Sequence, residues 1–203
     1  SAMTLTIELE AFPAPSQPFS ESGNQRVIVG GGCFWCTEAV YLELKGVSSV
    51  RSGYAGDSQA LANYDSVCSG LTNHAEVIEV CYDSAQVNLG ELLQLFFSVA
   101  HDPTQLDRQG NDRGRQYRSV VFWESEAQRD YVRGYIDQLD RAMVHDAPIV
   151  TTLEKLETFF PAEEYHQDFA RRNPGQPYIQ FAALPKVDKL RKTFPGKLRG
   201  EKA

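Results

Sequence analysis

The fold is decided by the stretch RVIVGGGCFWCTEAVY, which occupies residues 26–41. Its opening is apolar and rich in β-branched residues, which is typical of a short buried strand. Three consecutive glycines, residues 30–32, end that strand. Apolar residues then recur with helical spacing as far as Gly46, a residue suited to ending a helix. The stretch predicts a strand, a glycine turn and a helix, with Cys33 at the N-terminus of the helix.

The sequence on either side of this stretch predicts the other elements of the fold. Strands are expected over residues 47–53, 75–82, 118–123 and 149–156, helices over 89–99, 126–141 and 161–171, and a long polar loop over 101–117. The resulting order β-α-β-β-α-β is typical of an α+β protein. We therefore predict a two-layer sandwich of split β-α-β (ferredoxin-like) type with long irregular excursions.

The two ends of the chain differ from its middle. Residues 1–24 carry several prolines and are expected to form an extended N-terminal arm, in which Ser1 and Ala2 resemble an expression scar. Residues 25–203 are expected to form a single domain, because the length suits one domain and no internal repeat is visible. This domain is expected to end in a basic, irregular C-terminal tail.

Charge and composition exclude several classes of protein. With 20 Lys and Arg against 27 Asp and Glu, the formal charge is −7. That charge disfavours nucleic-acid binding, which needs a basic face. No apolar run approaches the ~20 residues of a membrane span, and no secretory signal precedes the cysteines. We therefore expect a cytoplasmic protein that binds neither nucleic acid nor membrane.

Two of the four cysteines, Cys33 and Cys36, form a C-x-x-C pair. The free N–H groups and dipole of a helix N-terminus favour a thiolate, so the pKa of the Cys33 thiol is expected to be lowered toward neutral. The alternative is a buried structural cysteine. A zinc site would need two further soft ligands at comparable spacing, and Cys68 and Cys81 stand alone. The pair therefore indicates redox chemistry without a bound metal, in which the second thiol resolves a sulfenic acid formed on the first.

Several further runs along the chain are unusual in sequence. They are SGYAGD at 52–57, Tyr64 with VCSG at 67–70, HAEV at 74–77, HDPTQ at 101–105, RQG at 108–110, QYRS at 116–119 and EEYHQD at 163–168. Together with GCFWC at 32–36, these runs resemble the peptide methionine sulfoxide reductases of the A class. The resemblance implies a peptide-methionine (S)-S-oxide reductase, an oxidoreductase of protein repair under oxidative stress. Such an enzyme reduces methionine S-sulfoxide, free or in proteins, to methionine.

The resemblance also implies which residues carry the reaction. Cys33 is the attacking nucleophile, and Glu76 is the acid that protonates the departing oxygen. Burial near a strand would hold such a carboxyl protonated, although the residue alone would pass for an exposed strand residue. Tyr64 and Tyr117 resemble the two phenols that hydrogen-bond the sulfoxide oxygen, and the alternative for both is an ordinary core tyrosine.

Three more residues are implied to bind the substrate. Phe34 and Trp35 would form an apolar wall for the methyl group, and burying a methyl group contributes on the order of 1 kcal/mol. Their alternative is an ordinary place in the core. Asp112 resembles an acidic residue that orients the substrate, and its alternative is a turn residue in a polar loop.

The chain departs from the family pattern at its recycling cysteine. Many members carry glycine at the position of Cys36 and a further cysteine near the C-terminus, whereas no cysteine follows Cys81 here. We therefore expect Cys36 to resolve the sulfenic acid of Cys33 and to leave a Cys33–Cys36 disulfide. Thioredoxin or another dithiol would supply the reducing equivalents, with no bound cofactor, and the enzyme is expected to be a monomer.

Two other functions remain open from the residues. One is a general disulfide oxidoreductase that uses the same C-x-x-C pair, which an insulin-reduction assay would detect. The other is a non-enzymatic zinc or interaction module, which metal analysis of the purified chain would detect.

Overall fold

The computed structural model describes residues 5–200, so the expected scar at Ser1 and Ala2 lies outside the described residues. The strands are β1 (Asn24–Gly30), β2 (Val47–Ala55), β3 (Ala75–Asp83), β4 (Arg108–Gln109), β5 (Asp112–Arg113), β6 (Val120–Trp123), β7 (Thr152–Lys155) and β8 (Phe160–Pro161). The α-helices are α1 (Phe34–Tyr41), α2 (Tyr64–Cys68), α3 (Leu89–Leu95), α4 (Glu126–Arg141), α5 (Phe169–Arg172) and α6 (Leu184–Thr193).

A six-stranded sheet with the order β7-β6-β1-β3-β2-β8 forms the centre of the fold, and β4 pairs with β5 as a separate hairpin. Strand β3 runs antiparallel to both β1 and β2, and β1 runs antiparallel to β6. Helix α1 thus connects two parallel strands that β3 separates, which is the split β-α-β arrangement. The predicted α+β fold is confirmed. The sheet is wider than predicted, because β7 joins β6 in parallel and β8 joins β2.

Neighbouring residues of the central strands belong to two different apolar clusters. Val29 of β1 and Ile78 of β3 lie in the main core with the helices, whereas Ile28 and Val77 belong to a smaller cluster. Successive strand residues point to opposite faces, so the central sheet is buried on both. Fully burying one such side chain contributes roughly 1.5–3 kcal/mol. This burial holds rigidly the strand that leads into Cys33.

The Pro-rich arm lies along the helical layer. The backbone carbonyls of Pro13 and Gln17 accept hydrogen bonds from the hydroxyls of Tyr135 and Tyr131, both on α4. Phe12 is only 3% exposed and belongs to the main core. These contacts fasten the arm to α4.

The C-terminal segment is helical, so the prediction of an irregular tail is wrong for most of it. A π-helical turn, Ile179–Ala183, continues into α6, which has a proline in its first turn. Val187 and Leu190 are buried, and their separation by three residues is helical spacing. The turn and α6 pack against α1. The prolines and glycine of residues 174–177 and the many basic residues concealed this period in the sequence.

The polar segment 101–117, predicted to be a loop, contains the β4–β5 hairpin and a 3-10 turn, Arg115–Tyr117. Gly110 lies between the two strands and has a φ of +56°, a conformation that favours glycine. The Gln109 side chain accepts from the Asp102 N–H and donates to the Asp102 carbonyl. The hairpin is therefore fastened to the start of its own segment.

Candidate active site

Cys33 lies where β1 leads into α1, and it is the N-cap residue of that helix. The glycines before it are required by close packing against the 101–109 segment. A Cβ on Gly31 would lie 2.8 Å from the His101 ring, and a Cβ on Gly32 would lie 2.6 Å from the Gln109 side chain. Gly32 also has a φ of +90°, which only glycine adopts readily. The glycine turn therefore lets the hairpin segment approach the cysteine.

The thiols of Cys33 and Cys36 are both free and are in hydrogen-bond contact with each other. Cys33 is half-buried, and Cys36 is 3% exposed. Burial, followed by the hydrogen bond with Cys36, raises the pKa of the Cys33 thiol. The hydrogen bond from Cys33, helped by the charge of Lys186, lowers the pKa of Cys36 to about 7 against the effect of burial.

The expected lowering of the Cys33 pKa is therefore wrong. Two adjacent buried thiols cannot both ionise at little cost, because two neighbouring negative charges repel each other. The pKa is therefore lowered at Cys36, which has a cation nearby, and raised at Cys33.

Glu76 lies on β3 next to the start of α1 and is only 2% exposed. Its Oε1 accepts the Phe34 N–H at 3.1 Å, one of the free N–H groups of a helix start. Burial raises the pKa of the Glu76 carboxyl to about 8 against that hydrogen bond, and the charges of Asp112 and Cys36 act in the same direction as burial. The carboxyl is therefore largely protonated at neutral pH, as a general acid must be.

Tyr64 and Tyr117 come from separate elements and are both half-buried. Burial raises the pKa of both hydroxyls, and the charges of Glu76 and Cys33 raise it further. For Tyr64 the hydrogen bond with Cys68 also raises the pKa. Both phenols are thus neutral hydrogen-bond donors within electrostatic reach of the acid and the thiol. We call Glu76, Tyr64 and Tyr117 the Glu76 side of the site.

The two aromatic residues after Cys33 have different surroundings. Phe34 is fully buried at 0% exposure, and its ring packs against Tyr54 and His166. This packing agrees with the alternative of an ordinary place in the core, and the role of Phe34 in substrate binding stays a prediction. Trp35 is half-buried, stacks on Phe169 at 3.9 Å between ring centroids, and donates its Nε1–H to His166 Nδ1. Of the two residues of the predicted apolar wall, Trp35 is the more exposed.

The segment 161–171, predicted to be one helix, supplies supporting residues that were not singled out as site residues. It forms a 3-10 turn, Glu164–His166, followed by α5. The Glu163 carboxylate accepts the Tyr54 hydroxyl at 2.8 Å and the Tyr64 N–H at 2.9 Å, and so it fixes the start of α2. The sequence pointed to Glu163 and His166 only through the EEYHQD run, and that run did not indicate what either side chain does.

A second cluster surrounds Cys36, and we call it the Cys36 side. In its protonated form Cys36 donates to the Tyr178 hydroxyl over 3.8 Å, and that hydroxyl donates to Asp112 Oδ2. The Lys186 ammonium is held by the Ala100 carbonyl at 3.1 Å. Tyr178 and Lys186 were not predicted, because they lie in the segment that was expected to be irregular.

A cavity of about 480 Å³ opens beside the Cys36 side. Both cysteines line it, together with Asp112, Tyr178 and Lys186, whereas neither Glu76 nor Tyr64 does. The structure therefore brings together two sets of groups, one around each cysteine. Asp112 belongs to the second set through its contact with Tyr178, and it is also close enough to raise the pKa of Glu76.

Comparisons with known proteins agree on one family. Residues 25–198 match the family model described as peptide methionine sulfoxide reductase. A relative from Synechocystis, peptide methionine sulfoxide reductase MsrA 2, is 48% identical over 179 residues, which cover 88% of this chain and 84% of the relative. A relative of the same description from Mesorhizobium japonicum is 51% identical over 173 residues, which cover 85% of this chain and 89% of the relative.

Solved structures of the same kind share the fold. The crystal structure of Mxr1 from Saccharomyces cerevisiae in reduced form aligns with a TM-score of 0.68 at 30% identity, over 81% of this chain and 94% of that one. Methionine sulfoxide reductase A of Corynebacterium diphtheriae aligns with a TM-score of 0.63 at 32% identity, over 80% of this chain and 86% of that one.

Proposed function

The chain belongs to the peptide methionine sulfoxide reductase family, and from this premise we propose that it reduces methionine S-sulfoxide, free or in proteins, with Cys33 as nucleophile. The observation that carries the proposal is the buried Glu76 carboxyl, which is held against the first N–H of α1 and has its pKa raised to about 8. A sulfoxide is reduced only if its oxygen is protonated as the sulfur is attacked. A carboxyl that keeps its proton at neutral pH supplies that proton.

The groups present give a balanced first step. The Cys33 sulfur attacks the sulfoxide sulfur while its own proton passes to the hydrogen-bonded Cys36 thiolate. Glu76 donates its proton to the oxygen, and Tyr64 and Tyr117 donate hydrogen bonds to it. Transfer of the hydroxyl to Cys33 releases methionine and leaves a Cys33 sulfenic acid, so the cysteine sulfur is oxidised as the substrate sulfur is reduced.

The second step closes the disulfide. Cys36 attacks the Cys33 sulfur, hydroxide leaves and is protonated to water, and a Cys33–Cys36 disulfide remains. The half-buried Trp35, stacked on Phe169, contributes the apolar surface for the substrate methyl group. Asp112 orients the substrate from the hairpin.

Recycling needs a dithiol, and we propose thioredoxin or a similar protein in this role. The Cys36 thiolate, acidified by its neighbours, is a good leaving group in thiol–disulfide exchange. Because the disulfide must be reduced after each turnover, the enzyme is expected in a reducing compartment such as the cytoplasm. The proposed site lies within one chain, so a monomer suffices. No helix within residues 5–200 has both the length and the apolar character needed to cross a membrane.

A single-turnover experiment tests the proposed function. One equivalent of methionine S-sulfoxide is added to the reduced enzyme without an external reductant, and the R epimer is the control substrate. We expect about one methionine per chain from the S epimer and a protein lighter by two hydrogens, with the new disulfide mapped to Cys33 and Cys36. An unchanged S epimer, or equal reduction of both epimers, would contradict the proposal.

A general disulfide oxidoreductase remains the second candidate for the same C-x-x-C pair. It would leave the buried acid and both phenols of the Glu76 side without a task. Rates of insulin reduction and of sulfoxide reduction, measured on the same preparation, separate the two activities. As for a zinc module, no group of three or more His, Cys, Asp or Glu side chains is arranged to hold a metal ion in the part of the chain that the structure describes.

A further inference from the structure

Tyr178 connects the Cys36 thiol to the Asp112 carboxylate in one hydrogen-bonded chain. The thiol donates to Tyr178 Oη over 3.8 Å, and the Tyr178 hydroxyl donates in turn to Asp112 Oδ2. Both donors point in the same direction along this chain. A proton that leaves Cys36 therefore has a continuous path to a carboxylate, and sulfoxide reduction on the Glu76 side does not use this path.

We propose that Tyr178 and Asp112 form a proton relay that activates Cys36 for its attack on the Cys33 sulfenic acid. This inference rests on the proposed function, because it concerns the step after methionine has left. As the Cys36 proton moves to Tyr178, the Tyr178 proton moves to Asp112. The new S–S bond forms, the Cys33 S–O bond breaks, and the leaving hydroxide and the proton held by Asp112 together make one water. Each sulfur ends at the disulfide level.

A relay favours the attack because Cys36 is only 3% exposed, so its proton has little direct contact with water while the Tyr178 hydroxyl already accepts it. The strongest acidifying influence on Cys36 in the reduced enzyme is the hydrogen bond from Cys33. Oxidation of Cys33 removes that thiol, and the first step has returned a proton to Cys36. The remaining groups that favour the Cys36 thiolate are then Lys186 and Tyr178.

The relay is built on fixed elements. Asp112 lies on the β4–β5 hairpin, which Gln109 fastens to Asp102. The Tyr178 ring packs edge-on against Trp35, with 6.0 Å between ring centroids. Tyr178 is a catalytic residue of this step because its oxygen touches a reacting sulfur. Asp112 acts only through Tyr178, as the positioning residue that orients the hydroxyl and takes the proton.

Several charged or titratable groups face Cys36 and set the pH dependence of this step. They are Cys33 on the same turn, Glu76 on β3, Asp112 on the hairpin, Tyr178 before the π-helical turn and Lys186 on α6, with His101, Asp102 and Lys189 lining the same cavity. Lys186 stabilises the thiolate by its charge, so without the relay Cys36 would still ionise in alkaline solution. Loss of the relay should therefore be corrected at alkaline pH, whereas a structural defect at Cys36 should not be.

The test measures how the sulfenic acid divides between two fates. Reduced enzyme is given one equivalent of methionine S-sulfoxide with a fixed excess of dimedone, which traps sulfenic acids, and the ratio of dimedone adduct to disulfide is read by intact mass. This ratio does not depend on how fast methionine forms. The variants are Tyr178→Phe and Asp112→Asn. Tyr131→Phe is the matched control, because it also removes one hydroxyl, which donates to the Gln17 carbonyl on the arm.

At pH 7 we expect almost only disulfide from the wild type and from Tyr131→Phe. For Tyr178→Phe the ratio of adduct to disulfide should rise roughly tenfold to a hundredfold, the usual worth of a proton-transfer group. The ratio should fall back to within about threefold of wild type near pH 9, where Cys36 ionises without help. Asp112→Asn, which keeps the ring, should change in the same direction.

Two results would overturn the relay. One is a wild-type ratio in both variants at pH 7, and the other is a raised ratio that alkaline pH does not correct, since that would indicate a displaced Cys36. Failure of the proposed function looks different: the wild type itself would then give no methionine, no adduct and no disulfide.

Discussion

The Glu76 side and the Cys36 side have different surroundings, although the two cysteines between them lie on the same first turn of α1. On the Glu76 side the acid is 2% exposed and accepts one backbone N–H. On the Cys36 side a cavity of about 480 Å³ reaches the sulfur, and a lysine and a tyrosine stand beside it. The first side buries its proton donor, and the second places the Cys36 sulfur beside an open cavity.

The two environments shift two pKa values in opposite directions. Burial raises the pKa of Glu76 to about 8, whereas Cys33 and Lys186 lower the pKa of Cys36 to about 7. Desolvation favours the neutral form of any acid, and a nearby donor or cation favours the anion. One site therefore holds a neutral carboxylic acid and a thiolate together near neutral pH, as an enzyme that first protonates an oxygen and then forms a disulfide requires.

The largest effect is expected from removing the sulfur that both sides share. Cys33→Ser should lower methionine formation at least about a thousandfold, because the serine hydroxyl is a far weaker nucleophile than a thiol. Cys81→Ser is the matched control, since Cys81 lies half-buried on β3 and is a free thiol. The measurement is methionine released in a single turnover. Appreciable activity in Cys33→Ser would move the nucleophile elsewhere.

The next effect concerns the Glu76 side alone. Glu76→Gln should slow the first step roughly a hundredfold to ten-thousandfold, because the amide has no acidic proton to give. In the wild type, Glu76 is active in its protonated form, so the single-turnover rate should fall as the pH rises through about 8. The variant should lack that decline. Glu79→Gln on the same strand is the control, because Glu79 pairs instead with Arg26 and Arg51. A wild-type rate in Glu76→Gln would place the proton donor elsewhere.

Folding of Glu76→Gln follows from the same pKa. The folded state holds the Glu76 proton more tightly than the unfolded state, so the wild type loses stability as the pH rises from about the ordinary carboxyl pKa of 4.3 to the folded pKa of about 8. A neutral glutamine avoids this loss. Thermal unfolding near pH 8 should therefore show the variant at least as stable as the wild type, and a lower melting temperature there would contradict this.

The sequence predicted the strands and helices that carry both sides of the site, but not how the burial and the pKa values of the two sides differ. The β-branched run before the glycines and the Ser125 cap of α4 are local signals, and β1 and α4 (Glu126–Arg141) are confirmed. Phe34 and Trp35 have the same character in the sequence, and only packing shows that Phe34 is buried. The Cys33 pKa was predicted in the wrong direction, because a helix N-terminus was weighed without burial and without the neighbouring thiol.

The Cys36 side was beyond reach for a further reason. Tyr178 and Lys186 are distant in sequence from Cys36. The prolines and glycine between residues 174 and 177 also interrupt the helical pattern, so the sequence did not predict a helix there. Contacts between segments so far apart depend on the completed fold rather than on any local preference.

A smaller effect is expected from Cys36, because it tests recycling and leaves the Glu76 side in place. Cys36→Ser should still release about one methionine per chain in a single turnover, whereas steady-state turnover with thioredoxin should fall roughly tenfold or more. Cys68→Ser is the control, because Cys68 is an exposed free thiol beside Tyr64. Unchanged steady-state turnover in Cys36→Ser would refute the resolving role. Loss of recycling in Cys68→Ser would assign that role to Cys68.

The smallest effect concerns the charge beside Cys36. Lys186→Gln should raise the pH at which the Cys36 thiolate forms by about half a unit to one unit, because a nearby cation stabilises the anion and water at the open cavity screens part of that effect. The measurement is thiolate absorbance against pH in a Cys33→Ser background, where Cys36 titrates without the Cys33 thiol. Lys189→Gln is the matched control, since Lys189 lines the same cavity but is not among the groups that lower the Cys36 pKa. If both variants titrate like the Cys33→Ser parent, the lysine does not account for the acidity of Cys36.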